Sequence, residues 1–428
     1  MSLSNALYSI KENRFNIGVV LISQGLALTN LIRAIAGQNL SSLVNIIMAL
    51  GVLLMFDYRE LRRLRLHIHG SMMVITTLFM LYTLARALIV EYTYSDSANI
   101  IYTIFGVALA LALSTNTEWK NEENFVPILF FVSGILSIVC AWFFTDGFTN
   151  FTSSINGIYD SSGTLIADRL TMSGIPFTSL ITCICYKAKS NKILVLKFIF
   201  ALTSVMCMFI VMRRALILSL IVAVLYAVYA KAFRKKEISM NSFLRAVAVL
   251  AAIIIIVFIL SKTEWFGENL TRLVEFTQRG FGTLFGNTSY GVDASAQTRV
   301  NLRNQILDEY SSYSIAEMLF GKGYMYMYLD FPLLQAFIDL GITGGVFYLI
   351  IVLIYPVKRC LRPYADNTGL YLQLTILRYV FNAFYVGIPY GYSVYFPCML
   401  LMFYAYLSRK RAREALYMEE ADIEGSIY

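Results

Sequence analysis

Long apolar runs separated by short polar connections set the pattern of this chain. Twelve of them fall at 15–35, 40–56, 71–90, 98–113, 125–144, 171–186, 193–212, 215–230, 243–260, 341–355, 370–387 and 392–407. A helix needs about 20 apolar residues to cross the roughly 30 Å hydrocarbon core of a bilayer, and irregular backbone is not tolerated against lipid. The pattern therefore predicts an all-α, polytopic integral membrane protein with about 12 transmembrane helices. Two polar stretches are too long to be simple turns. One, 145–170, is rich in Ser, Thr, Asn and Gly and holds Asp146, Asp160, Asp168 and Arg169; the other, 261–330, separates the ninth and tenth runs. The expected organisation is thus 1–260 for helices 1–9, 261–330 for a large loop, and 331–428 for helices 10–12 with a tail.

Basic residues orient the runs. Lys11 and Arg14 precede the first, and the clusters DYRELRRLRLHIH, KAKSNK, KAFRKK, PVKRCLR and SRKRAR follow the second, sixth, eighth, tenth and twelfth. Positive loops stay in the cytoplasm, so both termini are expected there and the 145–170 and 261–330 loops on the opposite face. The first run is too long for the core of a signal peptide and is expected to be retained. Arg213 and Arg214 break the charge bias, because alternation puts them at the outer end of a tight hairpin, where an arginine pair calls for an anionic partner.

Composition agrees with this class: 58% of residues are hydrophobic and 14% charged, a mixture that a soluble globule of 428 residues cannot bury. The net charge of +8 lies in clusters beside apolar runs, so it marks orientation and nucleic acid is not an expected partner. All six cysteines lie within or beside the runs, without a disulfide framework or zinc spacing. The two histidines, His67 and His69, fall in a cytoplasmic loop, leaving no histidine base outside. Serine-hydrolase, P-loop, zinc-protease and dinucleotide motifs are missing, as is a DxD pair. No metal or cofactor is expected.

The outer face is left with arginine, tyrosine and scattered carboxylate. Arg299 and Arg303 stand four apart, so on a helix both guanidinium groups share a face and can grip one anion; pairing with Asp293 or Asp308 is the competing reading. Tyr324, Tyr326 and Tyr328 form either an interfacial belt or a stacking surface for sugars. Asp330 is a candidate proton acceptor or a helix cap, and Asp339 a ligand-binding or purely structural carboxylate. Arg33, Arg86 and Arg378 sit in or beside apolar runs, where snorkelling alone accounts for them.

The order Arg299, LFGKG (319–323), then DFPLLQAFIDLGITGG (330–345) resembles the signature loop of the bacterial O-antigen polymerase and ligase superfamily. Leu334, Gln335, Asp339, Gly341 and Gly344 fall on its register, and either Arg213 or Arg214 is similar to its second arginine motif. Where the ligase pattern has histidine and asparagine this chain has Asp330 and Phe331, which favours the polymerase branch. The resemblance implies a GT-C-like, metal-independent glycosyltransferase of the inner membrane. It would join oligosaccharide repeat units carried on undecaprenyl pyrophosphate at the periplasmic face, with a chain-length regulator as a further partner. It implies catalytic roles for Arg213, Arg214, Arg299 and Asp330, and substrate binding by Arg303, Gly321, Gly323, Tyr324, Gln335, Asp339 and Arg378. A lipid-linked oligosaccharide flippase and an O-antigen ligase are the alternatives.

Overall fold

The structure, a computed structural model, describes residues 11–38, 40, 42–89, 97–149, 157–159, 165–187, 190–211, 214–234, 264–284, 286, 287, 289, 291–384 and 387–425. Helices α1 (Arg14–Ala36) and α2 (Leu43–Met55) form an opening hairpin, followed by the short α3 (Tyr58–Arg62), then α4 (Ser71–Ile89), α5 (Ser97–Ser114) and α6 (Phe125–Thr149). A two-stranded antiparallel ladder, β1 (Gly157–Tyr159) with β2 (Leu165–Asp168), leads into α7 (Arg169–Met172), α8 (Gly174–Cys185), α9 (Asn191–Val211) and α10 (Arg214–Arg234). The predicted loop 261–330 carries three helices, α11 (Glu264–Leu284), α12 (Ala294–Tyr310) and α13 (Ile315–Phe320). Next, α14 (Pro332–Leu349) continues through a π turn into α15 (Tyr355–Cys360), and α16 (Asn367–Asn382) and α17 (Tyr392–Gly425) close the chain.

Among the described residues five helical stretches are long and apolar enough to cross a membrane: Arg14–Ala36, Ser71–Ile89, Glu122–Phe144, Asn191–Val211 and Pro332–Cys360. Four shorter apolar helices accompany them. The predicted ninth run, 243–260, lies outside the described residues. The tenth starts earlier than its apolar pattern suggested, at Pro332, with a non-helical break at Gly341.

Packing explains which helices sit inside. From Tyr395 to Leu407 nearly every side chain of α17 is buried, the signature of a helix surrounded on all sides. By contrast α9 leaves Leu194, Val195, Phe198 and Leu202 more than half exposed, and α4 does the same with Leu78 and Leu88. Apolar surface on this scale is stable only against an apolar solvent, so the molecule is a predominantly helical membrane protein. Close approach of α1 and α2 depends on Gly18 and Gly51. A Cβ on Gly18 would lie 2.6 Å from the Gly51 carbonyl oxygen.

Long-range hydrogen bonds sort the connections to two ends of the bundle. At one end the Asp57 N–H donates to Thr115 Oγ1, the His67 N–H to the Ser114 carbonyl, Asn16 Nδ2 to the Asn121 carbonyl and Thr368 Oγ1 to the Glu122 carbonyl, while Arg411 pairs with Glu122. At the other end the Asp168 N–H donates to Asn30 Oδ1, Arg86 Nη2 to the Gly321 carbonyl and the Leu333 N–H to the Ala383 carbonyl. The candidate site lies at this second end.

Candidate functional site

Asp293 starts α12 by accepting the Ala296 N–H at 3.0 Å, an N-cap that fixes where the helix begins. Arg299 follows in its second turn and points at Asp330, 31 residues later. Its Nε donates to Asp330 Oδ2 at 2.8 Å and its Nη2 lies 2.6 Å from the same oxygen. The other carboxylate oxygen accepts the Gly387 N–H at 2.6 Å and the Tyr328 hydroxyl at 3.2 Å. Asp330 is therefore the hub of three segments and does not cap α14, whose N-cap is Phe331. The two side chains are 24% and 16% exposed, open enough for an arriving anion to compete for the guanidinium.

A crossing of two glycine backbones places Asp330. Gly321 (φ 79°, ψ 170°) and Gly341 (φ 68°, ψ −172°) both occupy a region essentially reserved for glycine. A Cβ on Gly321 would come 2.2 Å from the Asp339 carbonyl oxygen, and one on Gly341 would meet the Leu319 carbonyl at 2.4 Å. The break at Gly341 interrupts the helical ladder, and the carbonyls before it accept from the crossing strand: Lys322 N–H to Ile338 at 2.9 Å and Gly323 N–H to Asp339 at 3.1 Å.

Below the crossing the fully buried Asp339 carboxylate collects four donors. They are the N–H groups of Met325 (3.0 Å) and Tyr326 (3.2 Å), Gln335 Nε2 (3.2 Å) and the Tyr390 hydroxyl (2.8 Å). A buried carboxylate is tolerable only with such compensation. Gln335 is also fully buried and accepts the Leu329 N–H, while Tyr324 stacks on Tyr390 with ring centres 4.2 Å apart. Gly321, Gly323, Tyr324, Gln335 and Asp339 thus act together as the buttress that holds 321–330 against α14.

The remaining predicted residues scatter around this buttress. Arg303, one turn after Arg299, is not drawn to Asp308; it donates weakly to adjacent Asn304 Oδ1 at 3.3–3.4 Å. The tyrosine run divides: Tyr324 is core, Tyr326 lies beside Lys322 and Tyr328 meets Asp330. Lys322 also pairs with Glu317 at 3.0 Å. The Ser314 backbone N–H, followed by Lys322, holds the Glu317 carboxyl down at about 2. Arg378 lies in a cavity with its guanidinium 4.7 Å over the Phe177 ring. Arg213 and the Arg214 side chain lie outside the described residues. The far half of α10 is tied to the opposite end, since Tyr226 and Tyr229 donate to the Cys360 and Leu361 carbonyls, so α10 begins at the same end as Asp330.

Three contributors escape a reading of the sequence: Tyr390, Gly387 and Arg86, with Arg86 Nη2 bonded to the Gly321 carbonyl at 2.9 Å. Only the arginine in an apolar run was a visible signal. Searches of family models, curated proteins and solved structures return no match to the chain, so its function rests on the geometry above.

Proposed function

We propose that the chain is a polysaccharide polymerase of the bacterial inner membrane, a metal-independent glycosyltransferase joining undecaprenyl-pyrophosphate-linked oligosaccharide repeat units at the periplasmic face. The observation that carries this reading is the partly exposed Arg299–Asp330 pair, mounted on a polar segment at one end of an apolar bundle. Twelve spans, with 261–330 outside and both termini inside, complete the layout.

In this scheme Arg299, with Arg303 and with Arg213 or Arg214, binds the pyrophosphate of the donor. Guanidinium forks suit phosphate because they stay charged and donate in parallel pairs. A hydroxyl of the acceptor unit attacks the anomeric carbon of the donor and a new C–O bond forms. The bond from that carbon to the pyrophosphate oxygen breaks, and the electron pair leaves on the diphosphate, where the arginines stabilise the charge. Asp330, freed when the diphosphate takes Arg299, accepts the hydroxyl proton. The buttress around Asp339 positions Asp330 without touching substrate.

Purified protein in lipid bilayers, given lipid-linked repeat units alone, should lengthen them. Arg299→Ala and Arg299→Lys should both abolish lengthening if the bidentate fork matters. Normal long chains from a well-folded Arg299→Ala protein would remove the assignment. Transfer requiring a lipid A core acceptor would indicate a ligase, and translocation without new glycosidic bonds a flippase.

A further inference from the structure

The connection between α2 and α4 carries a surface that the transferase reading does not use. It lies at the end of the bundle opposite Asp330. There the Asp57 N–H donates to Thr115 Oγ1 at 2.9 Å, the His67 N–H to the Ser114 carbonyl at 2.7 Å, and His69 Nε2 to the Leu113 carbonyl at 3.0 Å. His69 is buried, with the Phe403 and Tyr406 rings 4.8 and 5.0 Å away. These contacts pin residues 57–69 across the end of α5, level with the ends of the apolar helices α2 and α4. In a bilayer that level is the headgroup zone.

Two kinds of side chain interleave on this segment. Arg59, Arg62, Arg63 and Arg65 are all exposed. Glu60 takes Arg63 at 3.5 Å, and among the described residues Arg59, Arg62 and Arg65 meet no carboxylate. Beside them Leu64, Leu66 and Ile68 are 86%, 54% and 72% exposed. Leu64 adopts a left-handed conformation (φ 51°), which ends the helical turn of α3 and sends the chain back toward α4. Exposed charge alone would suit a soluble polyanion, and exposed leucine alone would suit lipid tails anywhere along the bundle. The two interleaved in one short segment fit one environment, the boundary where acyl chains meet anionic headgroups.

We propose that residues 57–69 form a docking surface for anionic phospholipid in the leaflet at this end of the bundle. The guanidinium groups of Arg59, Arg62 and Arg65 take headgroup phosphates, while Leu64, Leu66 and Ile68 dip among the acyl chains beneath. Guanidinium suits a phosphodiester because its planar fork donates two parallel hydrogen bonds. The surface is independent of the transferase reading, since it lies at the other end of the molecule and uses none of the residues around Asp330.

The test titrates the full chain in detergent with dioleoyl phosphatidylglycerol or dioleoyl phosphatidylcholine and counts retained lipid by native mass spectrometry. Phosphatidylglycerol should be retained in preference. The triple variant Arg59→Gln, Arg62→Gln, Arg65→Gln should weaken that retention by about ten-fold or more, since each basic residue near an anionic surface is worth about five-fold. A control triple variant, Lys358→Gln, Arg359→Gln, Arg362→Gln, removes the same charge elsewhere at this end and should cost far less. Depth is read separately, in nanodiscs containing phosphatidylglycerol, from Ile68→Cys carrying an environment-sensitive fluorophore; the six native cysteines are buried and leave the label selective. The fluorophore should be quenched by doxyl groups at shallow acyl-chain positions and shielded from aqueous iodide. Equal retention of the two lipids, equal loss in the two triple variants, or iodide access to position 68 without doxyl quenching would each overturn the proposal. An RNA oligonucleotide that displaces phosphatidylglycerol would assign the arginines to a soluble polyanion and overturn it as well.

Discussion

Replacing Asp339 by alanine should release the segment that carries Asp330. The carboxylate accepts four hydrogen bonds in a fully buried position, three of them on Oδ2 and the Tyr326 N–H on Oδ1. Each buried donor left without an acceptor costs about 1–3 kcal/mol. The space vacated holds roughly one water, which can serve about two of the four donors. Asp339→Ala should therefore lose about 2–6 kcal/mol. Asp339→Asn keeps the oxygen that serves three donors but turns an NH₂ toward the Tyr326 N–H, so about 1–3 kcal/mol should be lost. Melting of purified protein in detergent should rank wild type above Asp339→Asn above Asp339→Ala. Limited trypsin digestion adds a local readout, because Lys322 lies in the segment that the buttress pins to α14, and cleavage there should accelerate in the same order. Equal midpoints and equal cleavage rates across the three proteins would refute the claim that this carboxylate holds the loop.

The glycine crossing predicts that Gly321→Ala and Gly341→Ala each cost more than the roughly 1–3 kcal/mol of their backbone conformation, because a Cβ also meets fixed backbone. Gly37→Ala, at φ 64° with nothing within 4 Å, should cost only about 1 kcal/mol, and thermal melts of the three should separate them. His69 is buried, donates from Nε2 to the Leu113 carbonyl at 3.0 Å, and its pKa is lowered mainly by that burial. Its unfolded form therefore binds a proton more readily, so stability should be complete above about pH 6.5 and fall as pH drops below it. Melting midpoints compared between about pH 8 and pH 5 should fall less in His69→Gln, which keeps the donor but cannot titrate. An equal fall in both proteins would assign the acid sensitivity elsewhere.

The segment 293–345 stood out in the sequence because it is an arginine-bearing polar stretch among apolar runs. Asp330 and Arg299 were both singled out there, yet their pairing was not, since 31 residues of chain separate them and the sequence points Arg299 equally at Asp293 or Asp308. Asp339 could be read as ligand or scaffold until Tyr390, 51 residues on, supplied its shortest hydrogen bond. Gly321 and Gly341 were visible as members of a motif, whereas the reason for them, one backbone crossing another, has no local signature.

Apolar run length determined by itself that this chain is a bundle of helices in a membrane, because the cost of exposing backbone to hydrocarbon depends on local composition. Clusters of Lys and Arg likewise set the expectation of which connections share a face. Only tertiary structure decided which guanidinium meets which carboxylate, that the glycines mark a crossing, and that Arg378 and Gln24 line a common cavity. Those facts depend on contacts between residues distant in the chain, and short-range patterns of hydrophobicity carry no information about them.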